Sequence, residues 1–226
     1  MLSGIRACVF DAYGTLFDVG SAVARCRPAL GGNAEALAAL WRDKQLQYTW
    51  LRSLQRCHAD FWQVTGDALD FALEALDISG TAPREKLMEL YKVLDPFPEV
   101  PAALEELKAR GFMTAILSNG TPSMLSAAVA HARIEGLLDH VLSVEEVGTF
   151  KTAPEVYQYA IDRLGVPARE ISFQSSNGWD AYAASAFGMS VVWCNRTGQC
   201  RERLPGMPDH EIRSLAELPA LLESPP

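Results

Sequence analysis

Asp11 stands at the end of an apolar run, Ile5 to Phe10, and Ala12-Tyr13-Gly14-Thr15 follows it. The carboxyl end of a strand is where open α/β sheets place their chemistry. Position 13, two residues past the Asp, is Tyr and not a second acid. That combination points to a carboxylate nucleophile working without a metal. Taken singly, Asp11 also reads as a turn-closing Asp, and Thr15 as an ordinary turn hydroxyl.

Other residues collect at the ends of further apolar runs. Ser118 and Asn119 precede Gly120-Thr121-Pro122. Thr121 and Pro122 form an N-cap and first-turn pair, so the groups before them would face an anion. Lys151 follows Gly148-Thr149-Phe150; it is a solvated loop charge, or the cation that a strand-end site needs. Ser175-Ser176-Asn177-Gly178-Trp179-Asp180 closes another strand and opens a helix. Those side chains either cap that helix or face the site. Arg42 lies on a long amphipathic segment, with Leu46 at i+4 and Trp50 beyond. It is either a snorkelling surface residue or a buried anion ligand.

Short β runs alternating with helical stretches must position these residues. The strands are expected at Arg6–Phe10, Met113–Leu117, Val141–Ser143, Ile171–Gln174 and Ser190–Cys194. Helices are expected at Val100–Arg110, Pro122–Ala132, Pro154–Leu164 and Asp180–Phe187. This is an α/β pattern: a Rossmann-like parallel sheet core flanked by helices. Residues 19–95 break the alternation with helical patterns alone. Ala34 to Val64 reads as one long helix with a possible break, and Ala68–Leu76 and Pro83–Val93 as two more. One apolar stripe is Leu37, Leu40, Trp41, Tyr48 and Leu51; a second is Leu46, Trp50 and Leu54. The expected organisation is a core of residues 1–18 and 96–226 with an inserted all-helical cap of residues 19–95. The Asp18–Gly20 turn and Pro96-Phe97-Pro98 would be its hinges. A cap over the carboxyl edge of a sheet makes a dry pocket.

The 226-residue chain is 49% hydrophobic and 21% charged, with a formal net charge of -8. That balance argues against nucleic acid and anionic membranes as partners. An anion site here must rest on a few specific cations or helix N-termini. Five cysteines without a C-x-x-C spacing fit reduced thiols and a cytoplasmic location. No signal peptide and no membrane-spanning run is expected.

Together these stretches resemble the haloacid dehalogenase superfamily, and more narrowly the L-2-haloacid (type II) dehalogenases. The matching segments are Val9 to Asp18, Trp41-Arg42 through Leu54, Leu117 to Gly120, Phe150-Lys151 and Ser175 to Asp180. The resemblance implies hydrolytic dehalogenation of (S)-2-haloalkanoates to (R)-2-hydroxyalkanoates, through attack by Asp11, an aspartyl ester and inversion at C2. It implies that Thr15 and Lys151 hold Asp11, and that Ser118 binds the substrate carboxylate. Arg42 and Asn119 would receive the halide. Tyr157, Ser175, Asn177 and Asp180 would orient Lys151 and the hydrolytic water, with Asp180 assisting as base. Tyr13, Leu46, Phe61 and Trp179 would wall the alkyl group, although Phe61 and Trp179 also read as plain core aromatics. The expected partners are a small 2-haloacid and water, with no cofactor and no metal, in a homodimer formed through the cap helices.

Three positions depart from the family pattern. Thr152-Ala153 follows Lys151, where proline commonly follows the lysine. Cys57-His58 replaces an Arg-Tyr pair, and Gly178 stands where Ala is common. These bear on substrate range more than on reaction type. The alternative enzyme is a magnesium-dependent phosphatase of the same superfamily, which has Asp at the positions of Tyr13 and Ser176. A hard dication wants several charged oxygen ligands, and Asp11 with Asp180 alone is a thin cage. A catalytically silent binding protein would be expected to lack one or more of Asp11, Arg42, Ser118, Lys151 and Asp180. A serine hydrolase lacks support, since no G-x-S-x-G occurs and His58, His131, His140 and His210 sit in no triad context.

Overall fold

The computed structural model describes residues 1–78 and 81–225. Residues 79 and 80 of the expected cap and residue 226 of the expected core lie outside the described residues. In chain order the elements are β1 (Ala7–Phe10), α1 (Gly20–Leu30), α2 (Ala34–Gln55), α3 (Phe61–Ala75), α4 (Thr81–Lys92) and α5 (Val100–Ala109). Then come β2 (Met113–Ser118), α6 (Pro122–Ala132), β3 (His140–Ser143), α7 (Pro154–Leu164), β4 (Ile171–Ser175), α8 (Gly178–Phe187), β5 (Ser190–Cys194), β6 (His210–Ile212) and α9 (Leu218–Leu221).

The strands form one parallel sheet in the order β3-β2-β1-β4-β5-β6. β1 and β4 are buried along their whole length, as a sheet covered by helices on both faces requires. The chain winds outward from β1 through β2 to β3, then returns to β4 on the other side. β1 is therefore the switch point, and the crevice for a ligand lies at its carboxyl end. The five expected strands form within a residue or two of their predicted ends. β6 was not expected: it is a three-residue edge strand in which only Ile212 is buried.

All four helices between β1 and α5 precede any further strand. α1 was not expected; Pro28 inside it interrupts the helical pattern. The long helix expected over Ala34 to Val64 breaks at Arg56, which closes α2 in the left-handed region. Asp60 then caps α3, its carboxylate accepting from the Gln63 N–H at 2.8 Å. Ala68–Leu76 continues α3 rather than forming a separate helix. The expected apolar stripe also shifts phase. The buried face of α2 is Ala34, Leu37, Trp41, Gln45 and Thr49, whereas Leu51 and Leu54 are 49% and 82% exposed. A step of four residues keeps one contact line against α3. Trp41 fixes that packing by donating from Nε1 to the Thr65 carbonyl at 2.9 Å.

The two crossings into this helical segment lie side by side. Asp18 N–H donates to the Asp95 carbonyl at 2.8 Å, and Phe97 N–H to the Leu16 carbonyl at 3.0 Å. No helix among the described residues is long and apolar enough to cross a membrane.

Candidate active site

The sheet brings three strand ends together. Asp11 follows β1 and is pinned to β4 by its backbone N–H, which donates to the Gln174 carbonyl at 2.8 Å. Ser118 ends β2 and Ser175 ends β4. The loop before α7 supplies Lys151, the first turn of α8 supplies Asp180, and α2 supplies Arg42.

Asp11 is 5% exposed, and its two oxygens are treated differently. Oδ2 accepts from Thr15 Oγ1 at 3.0 Å and Asn177 Nδ2 at 2.8 Å, with Ser175 Oγ at 3.5 Å. Among the described residues Oδ1 accepts from Lys151 Nζ alone, at 3.0 Å. One oxygen is thus saturated while the other keeps a free lone pair. The supports are themselves held. Thr15 Oγ1 accepts from the Ser176 N–H at 2.8 Å, and Ser175 Oγ from the Asn177 N–H at 3.1 Å. Asn177 occupies the N-cap of α8 without a side-chain capping bond. Its amide instead reaches Asp11, and the Tyr13 carbonyl at 3.1 Å.

Lys151 is 1% exposed and bridges two carboxylates, with Asp180 Oδ2 at 2.8 Å. Tyr157 donates its hydroxyl to Asp180 Oδ1 at 2.7 Å. Burial alone would lower the Lys151 pKa, but the charges of Asp11 and Asp180 outweigh it and raise it above the ordinary lysine value. Burial raises the Asp180 pKa, the Lys151 ammonium opposes this, and the Asp11 charge adds to it. The two shifts differ in implication: one marks a favoured ion pair, the other a disfavoured anion. Both directions hold, because one ammonium shared by two buried carboxylates leaves a net negative charge. Lys151 stays charged, and Asp180 is a stronger base than an exposed Asp. Burial likewise pushes the Tyr157 phenol well above its usual range, so it remains a donor.

Arg42 does not snorkel. It crosses from α2 to donate from Nη2 to Asn177 Oδ1 at 3.2 Å, and from Nη1 to Gln45 Oε1 at 2.7 Å. Beside it, the Tyr13 ring packs on Tyr91 at 5.5 Å and Phe61 at 5.7 Å between centroids. Gly120 is required here: a Cβ would lie 2.8 Å from the Tyr13 ring and hydroxyl. Ser118 Oγ accepts from the Gly120 N–H at 3.1 Å, and Asn119 Oδ1 accepts from the Lys151 N–H at 3.0 Å. Asn119 thereby fixes the lysine loop, in which the Lys151–Thr152 peptide is cis.

Asp11, Thr15, Arg42, Lys151, Tyr157, Ser175, Asn177 and Asp180 thus share one hydrogen-bonded network. Tyr13 joins it through its carbonyl and Asn119 through its side-chain oxygen on the Lys151 N–H, and Phe61 packs against Tyr13. Leu46 is half-buried one turn beyond Arg42. Trp179 lies edge-on to Trp50, 5.6 Å between centroids. Both line an apolar groove of about 620 Å³ that also touches Tyr157 and Leu204. That groove flanks the network, and none of its lining residues is Asp11 or Arg42. Gln45, Thr65 and Tyr91, the buried polar groups behind Arg42, carried no sequence expectation. Their one signal is a polar residue, Gln45, one turn past Trp41 on the buried line of α2. Glu145 was missed too; it accepts from the Phe61 N–H and His58 Nε2, both at 2.9 Å, tying the start of α3 to the core.

A buried carboxylate directly after β1, a buried lysine and an inserted helical segment agree with the comparison to known families. The model of the haloacid dehalogenase-like hydrolases matches residues 5–188. The chain belongs to this family. Among its relatives, (S)-2-haloacid dehalogenase 4A of Burkholderia cepacia is 45% identical over 98% of this chain and 96% of its own. (S)-2-haloacid dehalogenase 1 of Pseudomonas sp. strain CBS-3 is 47% identical over 96% of each. L-2-haloacid dehalogenase from Xanthobacter autotrophicus, solved with chloropropionic acid covalently bound, superposes with a TM-score of 0.90. It is 36% identical, covering 96% of this chain and 98% of that one. The haloacid dehalogenase-like fold thus extends over essentially the whole chain, inserted helices included.

Proposed function

We propose that this protein is an (S)-2-haloacid dehalogenase, which hydrolyses (S)-2-haloalkanoates to (R)-2-hydroxyalkanoates without a metal. The carrying observation is Lys151 Nζ, set between Asp11 Oδ1 and Asp180 Oδ2 at 3.0 and 2.8 Å. A magnesium-dependent phosphatase of this superfamily would carry acids at the positions of Tyr13 and Ser176; this chain has neither, and Lys151 is the cation that bridges Asp11 and Asp180. The Tyr13 carbonyl, a metal ligand in that alternative, is bonded to Asn177 Nδ2. Among the described residues no three His, Cys, Asp or Glu side chains gather as metal ligands.

Asp11 Oδ1 attacks C2 of the haloacid from behind, forming an ester and expelling halide with inversion. Water then adds to the acyl carbon of the ester, returning the Asp11 carboxylate and releasing hydroxyacid and a proton. Covalent catalysis divides one difficult displacement into two easier ones. Holding carboxylate and carbon in line contributes roughly 7–11 kcal/mol. Thr15, Ser175 and Asn177 fix Oδ2, so the free oxygen is presented in one orientation. Arg42 and Asn119 receive the halide, and Ser118 with nearby backbone N–H groups takes the substrate carboxylate. Asp180, with its raised pKa, assists proton removal from water. Tyr13, Leu46 and Phe61 enclose the alkyl group, while Trp179 lines the adjoining groove with Trp50. The same reading includes cytoplasmic residence and a homodimer through the cap helices, where exposed Leu51 and Leu54 of α2 supply apolar surface.

The test is chloride release from separate (R)- and (S)-2-chloropropionate with chelator present. Chloride from the (S) acid alone, abolished in Asp11→Asn, is expected. No chloride from the (S) acid would overturn the assignment.

A further inference from the structure

Arg42 is aimed by a buried amide with only one workable orientation. Gln45 is 1% exposed, on the face of α2 packed against α3. The Phe61 carbonyl can only accept, so Thr65 must donate its hydroxyl proton to it, at 2.6 Å. Thr65 Oγ1 is then left as an acceptor for Gln45 Nε2, at 2.7 Å. That places Gln45 Oε1 against Arg42 Nη1 at 2.7 Å, and a guanidinium can only donate. Tyr91 OH closes the pocket, 3.1 Å from Nε2 and 3.2 Å from Oε1. A flipped Gln45 would set its NH₂ against the guanidinium and its carbonyl against a Thr65 hydroxyl already committed to the Phe61 carbonyl. Burial makes that unmade bond expensive.

The far side of Arg42 obeys the same logic. Asp11 Oδ2 and the Tyr13 carbonyl only accept, so Asn177 turns Nδ2 toward them and Oδ1 toward Arg42 Nη2. The guanidinium is therefore held between two amides of fixed polarity.

We propose that Gln45 is a positioning residue that sets the guanidinium of Arg42 for the departing halide. This rests on the dehalogenase reading above. A displacement of about 1 Å in such a group can cost roughly 100-fold in rate. Leaving-group stabilisation develops in the transition state, so the loss belongs in kcat and not in KM.

The experiment compares the full-length protein with Gln45→Met, Thr65→Val, Arg42→Lys and the Gln45→Met/Arg42→Lys pair. Chloride release from (S)-2-chloropropionate and product inhibition by chloride are measured, with melting temperatures as a check on folding. Gln45→Met should lower kcat roughly 10- to 100-fold with KM changed less than about threefold, and should weaken chloride inhibition by about tenfold. Thr65→Val should act in the same direction, by roughly 3- to 10-fold. In the Arg42→Lys background Gln45→Met should change kcat by less than about twofold, since its effect passes through the arginine. A Gln45→Met protein with parental kcat and chloride inhibition overturns the inference. So does a loss that multiplies undiminished onto Arg42→Lys, which would mark a packing role. If Gln45→Met does not fold, parental behaviour of Thr65→Val overturns it. A parent that releases no chloride overturns the dehalogenase reading, and the role of Gln45 falls with it.

Discussion

Lys151 Nζ donates to Asp11 Oδ1 across 3.0 Å, and neither side chain is more than 7% exposed. The ammonium both orients the Asp11 carboxylate and offsets its charge. Replacing Lys151 with Met would leave Asp11 and Asp180 buried without a cation, at a cost of about 3–5 kcal/mol in stability. Lys151→Arg keeps the charge but not the compact point geometry, so it should fold better than Lys151→Met and remain impaired. Both should lose roughly 100- to 1,000-fold or more in kcat. Thermal melts and chloride-release assays on the pair separate the two effects. A Met variant with parental stability would contradict the buried ion-pair description.

The acid limb of the pH profile should report Asp180. Its pKa is raised by burial, opposed by Lys151, raised again by Asp11, and lowered by the Tyr157 hydrogen bond. In the proposed role Asp180 must be ionised to assist the water, so activity falls as pH drops through its raised value. Tyr157→Phe removes a bond that favours the anion. The acid limb should therefore move to higher pH. The linkage to stability has opposite signs for the two partners. Lys151, raised, contributes stability present below the unfolded lysine pKa and lost only as pH rises through its higher folded value. Asp180, also raised, costs stability once pH exceeds the unfolded Asp value. A limb that moves down, or stays still, in Tyr157→Phe would refute the assignment of that limb to Asp180.

Gly120→Ala tests the wall beside the nucleophile. The added Cβ would meet Tyr13 at 2.8 Å and Leu125 at 3.2 Å. Tyr13 cannot yield easily, because Phe61 and Tyr91 hold its ring. Overpacking of this kind costs about 1–3 kcal/mol. Since Tyr13 also bonds Asn177 through its carbonyl, the strain should reach Asp11 and lower kcat/KM. Urea unfolding and steady-state kinetics on one preparation would show both; unchanged values in both would mean that the ring has room to move.

The sheet was legible because β1, β2 and β4 are short apolar runs, each closed by polar residues. Sequence spacing also put Asp11, Ser118, Ser175 and Asp180 at one edge. β6 was not legible: His210-Glu211-Ile212 has one buried side chain, so neither alternation nor an apolar run marks it. The phase of α2 was misread because the count took only apolar residues. Gln45 and Thr49 hold the buried line, while Leu51 and Leu54 face out. Arg42 illustrates what one-dimensional reading leaves open. Its two alternatives are decided by Asn177, 135 residues away, and by Gln45, whose own partners lie on α3 and α4. A polar residue at a core-facing position is legible as an anomaly, but its partner is set by tertiary packing.

The stereochemistry and the fate of oxygen should agree with one another. If Asp11 Oδ1 displaces halide at C2, that centre inverts once. Water attacking C2 of the ester would invert it again and return the original hand. Water attacking the acyl carbon leaves C2 untouched and cleaves the bond between the acyl carbon and Asp11 Oδ1. With Asp11 as the attacking group, inversion overall therefore requires that the product hydroxyl carry an oxygen from Asp11, while water supplies its replacement. Repeated turnover of (S)-2-chloropropionate in ¹⁸O-water should place label in the Asp11 peptide. A single turnover with enzyme in excess should give (R)-lactate without label. The network permits this exchange, since Asp11 Oδ2 stays held by Thr15 and Asn177 while Oδ1 leaves with the product. Labelled lactate from a single turnover, with no label in Asp11, would mean that water displaces halide directly and that Asp11 is not the nucleophile.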